Sequence, residues 1–146
     1  MNAQTRLLEA ADHQVERLAS YDALPAAVID RTDGELTRLA IREAGRTYFV
    51  MVDAIHWIEG ADYYVKLHID GRTHLLRETM RSLEQRLSPR RFARVHRSAI
   101  VNLARIREIR IAGKGDHVIV LGDATRLRLS RARRRHLEQL MEHAPL

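Results

Sequence analysis

The chain of 146 residues contains no cysteine, which excludes disulfide bonds and thiolate metal sites. No apolar run approaches the roughly 18 residues that a membrane-spanning helix requires, and the N-terminus lacks the basic-then-apolar layout of a signal peptide. The length suits one ordinary domain with a short appendage. These observations predict a cytoplasmic protein with no membrane segment.

Catalytic and metal-binding motifs are also missing. There is no Gly-x-x-x-x-Gly-Lys-[Ser/Thr] phosphate loop, no Gly-x-Ser-x-Gly and no His-Glu-x-x-His, and the eight histidines form no set with metal-ligand spacing. We therefore expect neither an enzyme nor a bound cofactor or metal.

Lysine is scarce, because Lys66 and Lys114 are the only lysines among 25 basic residues. The planar guanidinium of arginine makes paired hydrogen bonds to phosphate and to guanine edges, which lysine cannot do. A GC-rich genome would favour arginine as well, so the bias alone does not decide between the two explanations. Codon usage does not explain why the arginines cluster.

The charge is distributed unevenly along the chain. Residues 1–70 hold 7 Lys/Arg and 12 Asp/Glu, a net charge of −5, whereas residues 71–146 hold 18 and 7, a net charge of +11; together they give the overall +6. This asymmetry indicates that the second half binds nucleic acid or another anionic surface.

The N-terminal segment has the pattern of an amphipathic helix over residues 4–20. Its apolar residues lie at three- and four-residue spacings: Leu8, Ala11, Val15 and Leu18. Two heptads are too few for a stable coiled coil alone, so this stripe either pairs with a copy of itself or packs on the domain. We predict an N-terminal helix over 1–21, a linker over 22–35 and one domain over 36–146.

The rest of the chain shows the alternation and short apolar runs of β-strands. Asp70-Gly71 predicts a hairpin turn, Thr79 is placed to cap a helix over Met80–Leu87, and Ser130 is placed to cap a final helix. Strands are predicted at 92–95, 99–101, 106–111, 117–121 and 126–129. The buried stripe of the final helix would be Leu137, Leu140 and Met141. The predicted fold is mainly β, with a middle helix, a C-terminal helix and a separate N-terminal helix.

Two clusters of donor side chains interrupt this pattern. His96, Arg97 and Ser98 lie between two apolar strands, and Ser130 to Arg135 brings four arginines to a helix start, where free backbone N–H groups attract phosphate. The helix dipole disfavours cations there, so their position suggests a functional constraint. The alternatives are a structural role for His96, which we favour, and a solvated charged face for Arg134 and Arg135.

Tyr63 and Tyr64 stand at the start of a predicted strand. Neighbouring strand residues face opposite sides, so at most one of the two fits in the core. The outward side chain could contact a phosphate or a base, or it could only pack on the hairpin.

Several segments together resemble the LytTR family of bacterial DNA-binding domains, over about residues 36–142. The central match is Phe92-x-Arg94-Val95-His96-Arg97-Ser98-x-Ile100-Val101-Asn102-Leu103. The other matching segments, in order, are Val52-Asp53-x-Ile55-x-Trp57-Ile58-Glu59, Tyr64-Val65-Lys66-Leu67-His68, Leu76-Arg77-Glu78-Thr79-Met80-x-x-Leu83-Glu84 and Leu127-x-Leu129-Ser130-Arg131.

The resemblance implies an elongated arrangement of small β-sheets that inserts loops into successive major grooves of duplex DNA, bends it, and reads paired direct repeats upstream of regulated genes. It implies base contacts from Tyr63 or Tyr64, Arg97, Ser98 and Arg131. Charge and position add phosphate contacts from Lys66, Arg94, Arg133 and Arg134. The chain departs from the family at Tyr63, where a small polar residue is usual, and at Arg128, where proline is usual.

Most LytTR domains follow a receiver domain of a two-component system, for which residues 1–35 are too short. The chain is therefore expected to be a stand-alone transcriptional regulator or the C-terminal output portion of a response regulator. Its N-terminal helix would be an interdomain remnant or a dimerising arm. An RNA-binding β-domain and a protein-interaction module with an acidic partner are the alternative functions.

Overall fold

Three antiparallel sheets and two helices make up the described part of the chain. The computed structural model describes the backbone of residues 30–32 and 35–143 and the side chains of residues 35–142. The predicted N-terminal helix lies outside the described residues. Strand β1 lies within the range 22–35 that the sequence assigns to a linker, so the N-terminal sheet begins before residue 36.

The N-terminal sheet has the order β1-β2-β3, with strands Asp30–Thr32, Glu35–Glu43 and Arg46–Met51. The central sheet has the order β6-β5-β4-β8-β7, with β4 Trp57–Ala61, β5 Tyr64–Ile69, β6 Arg72–Leu76, β7 Phe92–His96 and β8 Ala99–Asn102. The C-terminal sheet has the order β11-β10-β9, with β9 Ile106–Ala112, β10 Asp116–Leu121 and β11 Arg126–Leu129. Helix α1 is Met80–Arg86, helix α2 is Arg131–His143, and short 3-10 turns span Val52–Ala54 and Leu103–Arg105.

The central sheet is apolar on both faces and packs against a different core on each. One face contributes Ile58, Leu67 and Ile100 to a cluster that also contains Leu39 of the N-terminal sheet and Leu83 of α1. The other face contributes Ala93, Val95, Ala99 and Val101 to a second cluster, with Ile119 and Leu127 of the C-terminal sheet and Leu137 of α2. Because successive strand residues point to opposite faces, a continuous apolar run such as Ala99–Val101 serves both cores.

The strands and helices predicted from the sequence for residues 36–142 are confirmed with small shifts at their ends. The loop of Asp70 and Gly71 has positive φ at both residues, 44° and 80°, as a two-residue hairpin of this hand requires. The Thr79 hydroxyl accepts a hydrogen bond from the Ser82 N–H at 3.0 Å and so caps α1. At Ser130 the backbone carbonyl, and not the expected hydroxyl, accepts from the first turn of α2, with Arg133 N at 3.1 Å.

Asn102 is a buried polar residue that connects both 3-10 turns to the central sheet. Its amide nitrogen donates to the Ile55 carbonyl at 2.8 Å, and its Oδ1 accepts from the Ala104 N–H at 3.0 Å. Ile55 is fully buried, so its carbonyl could not turn to water if the amide were removed.

We predict that Asn102→Ala lowers the free energy of unfolding by about 2 kcal/mol, because the buried Ile55 carbonyl loses its donor and the turn at Ala104 loses its cap. Equilibrium urea unfolding measures the change, with Gln85→Ala as the control. Gln85 is an exposed amide on α1, and its loss should stay within about 0.5 kcal/mol. Equal effects of the two substitutions would contradict this role of Asn102.

Candidate nucleic-acid interface

One end of the central sheet carries two of its three hairpin turns. The β4–β5 turn holds Asp62 and Tyr63, and the β7–β8 turn holds Arg97 and Ser98. Strand β4 pairs with β8 in antiparallel register, Glu59 opposite Ala99, and the Gly60 N–H donates to the Ser98 carbonyl at 2.9 Å. The two turns are therefore neighbours, although about 35 residues separate them in sequence. We call this end of the molecule the turn end.

Gly60 allows this close approach. A Cβ at this position would lie 3.0 Å from Cγ of Met80 and 3.6 Å from the Ser98 Cα. The absence of a side chain therefore lets the β4–β5 turn lie directly against the β7–β8 turn and the first residue of α1.

Helix α2 begins at the same end. The Ser130 N–H donates to the Val95 carbonyl at 2.9 Å, which places the start of α2 beside the last residues of β7. Seen across the molecule, the elements follow one another in a row: the β4–β5 turn, the β7–β8 turn and the start of α2. The structure thus brings together Tyr63, Arg97, Ser98 and Arg131, the four positions for which base contacts were predicted together with Tyr64.

The β7–β8 turn is held rigidly from its own strands. One guanidinium nitrogen of Arg94 donates to the Arg97 carbonyl, and the other is 3.0 Å from Glu84 of α1. The Arg94 side chain is only 15% exposed. These contacts give Arg94 a bracing role in the turn. The Arg97 side chain, by contrast, is exposed and makes no ion pair within the described residues.

His96 braces the same turn from inside. Its Nδ1 accepts the Ser98 N–H at 3.2 Å and lies 3.0 Å from the Ser98 hydroxyl. An acceptor at Nδ1 requires the neutral ring with its proton on Nε2. Burial lowers the pKa of His96, and the positive charges of Arg128, Arg97 and Arg94 lower it further, so the neutral form is favoured. This agrees with the structural role that we favoured for His96.

The two tyrosines have different surroundings. Tyr63 lies in the turn with 77% of its surface exposed. Tyr64 begins β5, where the Arg77 guanidinium lies 5.5 Å from its ring centroid and donates to its hydroxyl at 3.3 Å. Neither tyrosine lies in the core, so Tyr63 projects outward while Tyr64 is held against the sheet by Arg77.

Two arginines at the start of α2, Arg131 and Arg133, have different acidic neighbours. Arg131 is 78% exposed, with Asp116 of β10 at 4.0 Å. Arg133 lies 3.7 Å from Glu84, the carboxylate that also pairs with Arg94. Glu84 thus joins α1, β7 and α2 beneath the exposed surface, a role that no local pattern in the sequence predicts.

Arg134 and Lys66 lie further from the row. Arg134 lies 3.8 Å from Glu138, one turn along α2, and 3.4 Å from both ring nitrogens of His117. Lys66 lies in the middle of β5, half-buried, with Glu59 and Leu75 opposite it on the neighbouring strands. Neither side chain belongs to a turn at the turn end.

We call the opposite end of the molecule the far end. His56 lies between two carboxylates, with Asp70 at 3.1 Å from Nε2 and Asp123 at 3.6 Å from Nδ1. Hydrogen bonds from Thr125 lower the pKa of Asp123 and favour its charged form. The far end also carries basic residues, since Arg72 and Arg126 begin the strands that follow these two carboxylates.

The described part of the chain contains neither a cluster of metal ligands nor a membrane-spanning helix. Among residues 35–142, no three histidine or acidic side chains converge as metal ligands would. The helices that the structure describes are too short and too polar to cross a membrane.

A β-domain with exposed basic turns at one end belongs to the class of nucleic-acid-binding modules. The family model of the LytTr DNA-binding domain matches residues 45–142, about two thirds of the chain. The chain belongs to the LytTR family of DNA-binding domains, as the sequence segments indicated.

A solved structure confirms the fold. It is the LytTr DNA-binding domain of a protein described as a methyl-accepting/DNA response regulator from Bacillus cereus, and it superposes with a TM-score of 0.65 at 18% sequence identity. The alignment covers 72% of this chain and 96% of that one. A search of the curated proteins finds no match.

We predict that the β7–β8 turn is sensitive to acid. The contribution of neutral His96 to stability is complete above the ordinary pKa of 6.5 and is lost as the pH falls through the lowered pKa, because a protonated Nδ1 cannot accept from Ser98. An NMR titration of the free protein should give a pKa for His96 below 6.5, with the Ser98 amide shifting in step. Arg128→Gln removes a nearby positive charge and should raise that pKa; a parent value at or above 6.5 would exclude the mechanism.

Proposed function

We propose that this protein is a sequence-specific regulator of transcription that binds double-stranded DNA through its turn end. The observation that carries the proposal is the row formed by Tyr63, Arg97 and Arg131, three exposed side chains on neighbouring elements at one end of the molecule. Side chains suited to base edges project from this row, while the paired charges of Arg94 and Glu84 lie beneath it. Family membership supports DNA as the ligand.

The order of the row suggests how it meets the duplex. The β4–β5 and β7–β8 turns belong to neighbouring strand pairs, so their centres are about 10 Å apart. The start of α2 continues the row on the other side of β7. We assign the outer two elements to successive major grooves, which leaves the β7–β8 turn over the minor groove between them. Successive major grooves lie about 34 Å apart, so the duplex would have to bend toward the protein.

Arg97 suits the middle position. The minor groove attracts arginine most where A·T sequence makes it narrow, and its base edges mainly distinguish A·T from G·C pairs. Arg131, at the start of α2, adds donors for guanine edges or phosphates in one of the outer grooves, and Ser98 adds a donor beside Arg97 in the middle turn. Two such domains on one duplex would read a pair of direct repeats.

Selection of bound sequences from random duplex DNA would define the target and test the proposal directly. Recovery of two short repeats in the same orientation supports it. Equal retention of all sequences, or tighter binding to single-stranded RNA or to an acidic protein, would favour one of the alternative functions.

Arg97→Ala should reduce the ratio of specific to non-specific affinity by about 1–3 kcal/mol, because a base contact is lost. Fluorescence anisotropy with the selected duplex and a scrambled duplex measures both affinities. The control is Arg107→Ala, which removes the same charge from an exposed position on β9 toward the far end. If Arg97→Ala binds the selected duplex as tightly as the parent does, the central turn has no part in recognition.

The place of the chain in the cell is a further part of the proposal. We infer a cytoplasmic bacterial regulator that acts either alone or as the output portion of a two-component response regulator. The family match supports an output role, and the search for membrane-spanning helices in the described residues supports a location away from the membrane.

The apolar stripe predicted for residues 4–20 supports weak dimerisation. Replacing Leu8 and Val15 together by aspartate should abolish self-association, because both residues lie on that stripe. Sedimentation equilibrium over a range of concentrations measures it, with Glu9→Gln and Glu16→Gln as a control pair on the polar faces. If the parent keeps the mass of a monomer at high concentration, the proposed dimerisation is wrong.

A further inference from the structure

A fourth element reaches the turn end: the hairpin turn between β9 and β10. Its three residues Gly113, Lys114 and Gly115 have φ of 46°, 42° and 83°, a run of left-handed conformations that glycine on both sides of the lysine makes accessible. Lys114 therefore stands at the tip of the hairpin. Its side chain is exposed and makes no ion pair with any residue that the structure describes.

The register of the C-terminal sheet places this tip beside the start of α2. His117 of β10 lies opposite Leu129, the last residue of β11, and Ser130 and Arg131 follow immediately. Because β10 and β11 are antiparallel, the beginning of β10 and the end of β11 lie at the same edge of the sheet. Lys114 thus lies on the side of α2 that faces away from the β7–β8 turn.

Two contacts fix the hairpin to the helix. Asp116, two residues after Lys114, lies 4.0 Å from Arg131. The His117 Nδ1–H donates to the Gly115 carbonyl at 3.0 Å, and Arg134 of α2 lies 3.4 Å from the same ring. The tip is therefore held in a defined position next to the most exposed arginine of the row.

We propose that Lys114 is a phosphate contact that extends the DNA interface by one element beyond Arg131, along the backbone that borders the groove entered by α2. This inference rests on the proposed function. A lysine is a flexible point charge, so it would contribute affinity for any duplex sequence and no base preference. In the same arrangement, Arg134 positions the hairpin through His117, and its own contact with DNA is not required.

The dependence of affinity on salt tests this contact. The logarithm of the association constant falls with the logarithm of salt concentration by about 0.9 per neutralised phosphate. Lys114→Gln should therefore reduce that slope by about 0.9. A fourfold rise in salt reduces the affinity of both proteins for DNA, and the factor of reduction should be about 3.5 times smaller for the variant than for the parent. The effect should be equal on the selected duplex and on a scrambled duplex.

Arg107→Gln is the matched control, since it removes the same charge from the same strand pair toward the far end. Its slope should equal that of the parent.

Ethylation of single phosphates on the duplex locates the contact. Ethylation of one or two phosphates should weaken binding by the parent but no longer weaken binding by Lys114→Gln. These phosphates should lie next to the ones whose ethylation has no effect on an Arg131 variant. If the slope and the interference pattern of Lys114→Gln both match the parent, the inference is overturned while DNA binding stands. If the parent itself shows no salt-dependent binding to duplex DNA, the proposed function and this inference fail together.

Discussion

The turn end depends on the pairing of β4 with β8. Only three residue pairs join the two strands, Trp57–Val101, Ile58–Ile100 and Glu59–Ala99, yet they connect residues 40 to 44 positions apart in sequence. That pairing brings the β4–β5 turn against the β7–β8 turn. It also places Ile58 and Ile100 in one core and Ala99 and Val101 in the other. The proposed interface and the fold therefore rely on the same few hydrogen bonds.

The two cores explain how short turns keep their shape. A sheet that is covered on both faces cannot easily slip its register, since a shift by one residue would exchange the side chains of the two clusters. The ion pairs and hydrogen bonds of the turn end therefore form on a sheet whose register is already fixed. Glu84 holds both Arg94 and Arg133, and His96 holds Ser98, so the residues just beneath the surface are already paired before a ligand arrives. Preorganisation of this kind reduces the entropy that binding must overcome.

Local patterns predicted most of the fold. Alternating residues and turn residues identified the strands from Phe92 onward to within one residue at each end, and Thr79 identified the start of α1. The family segments predicted the LytTR fold, which the family model and the solved structure confirm. Contacts between distant segments were not predictable: nothing around Arg94 or Arg133 shows that Glu84 will bind both, and nothing around Tyr64 shows that Arg77 will lie over its ring. The sequence distinguished Lys114 only as one of two lysines. Its proposed phosphate contact depends on which end of the C-terminal sheet lies next to α2, and no local pattern shows that.

The uneven charge of the chain affects how the protein would meet its proposed ligand. Residues 71–146 carry a net charge of +11 and include both the β7–β8 turn and the start of α2. Such a region attracts a polyanion over about one Debye length, near 8 Å at physiological salt. Under the proposed function, this attraction would raise the rate of association at low salt, and the rate would fall as salt screens it.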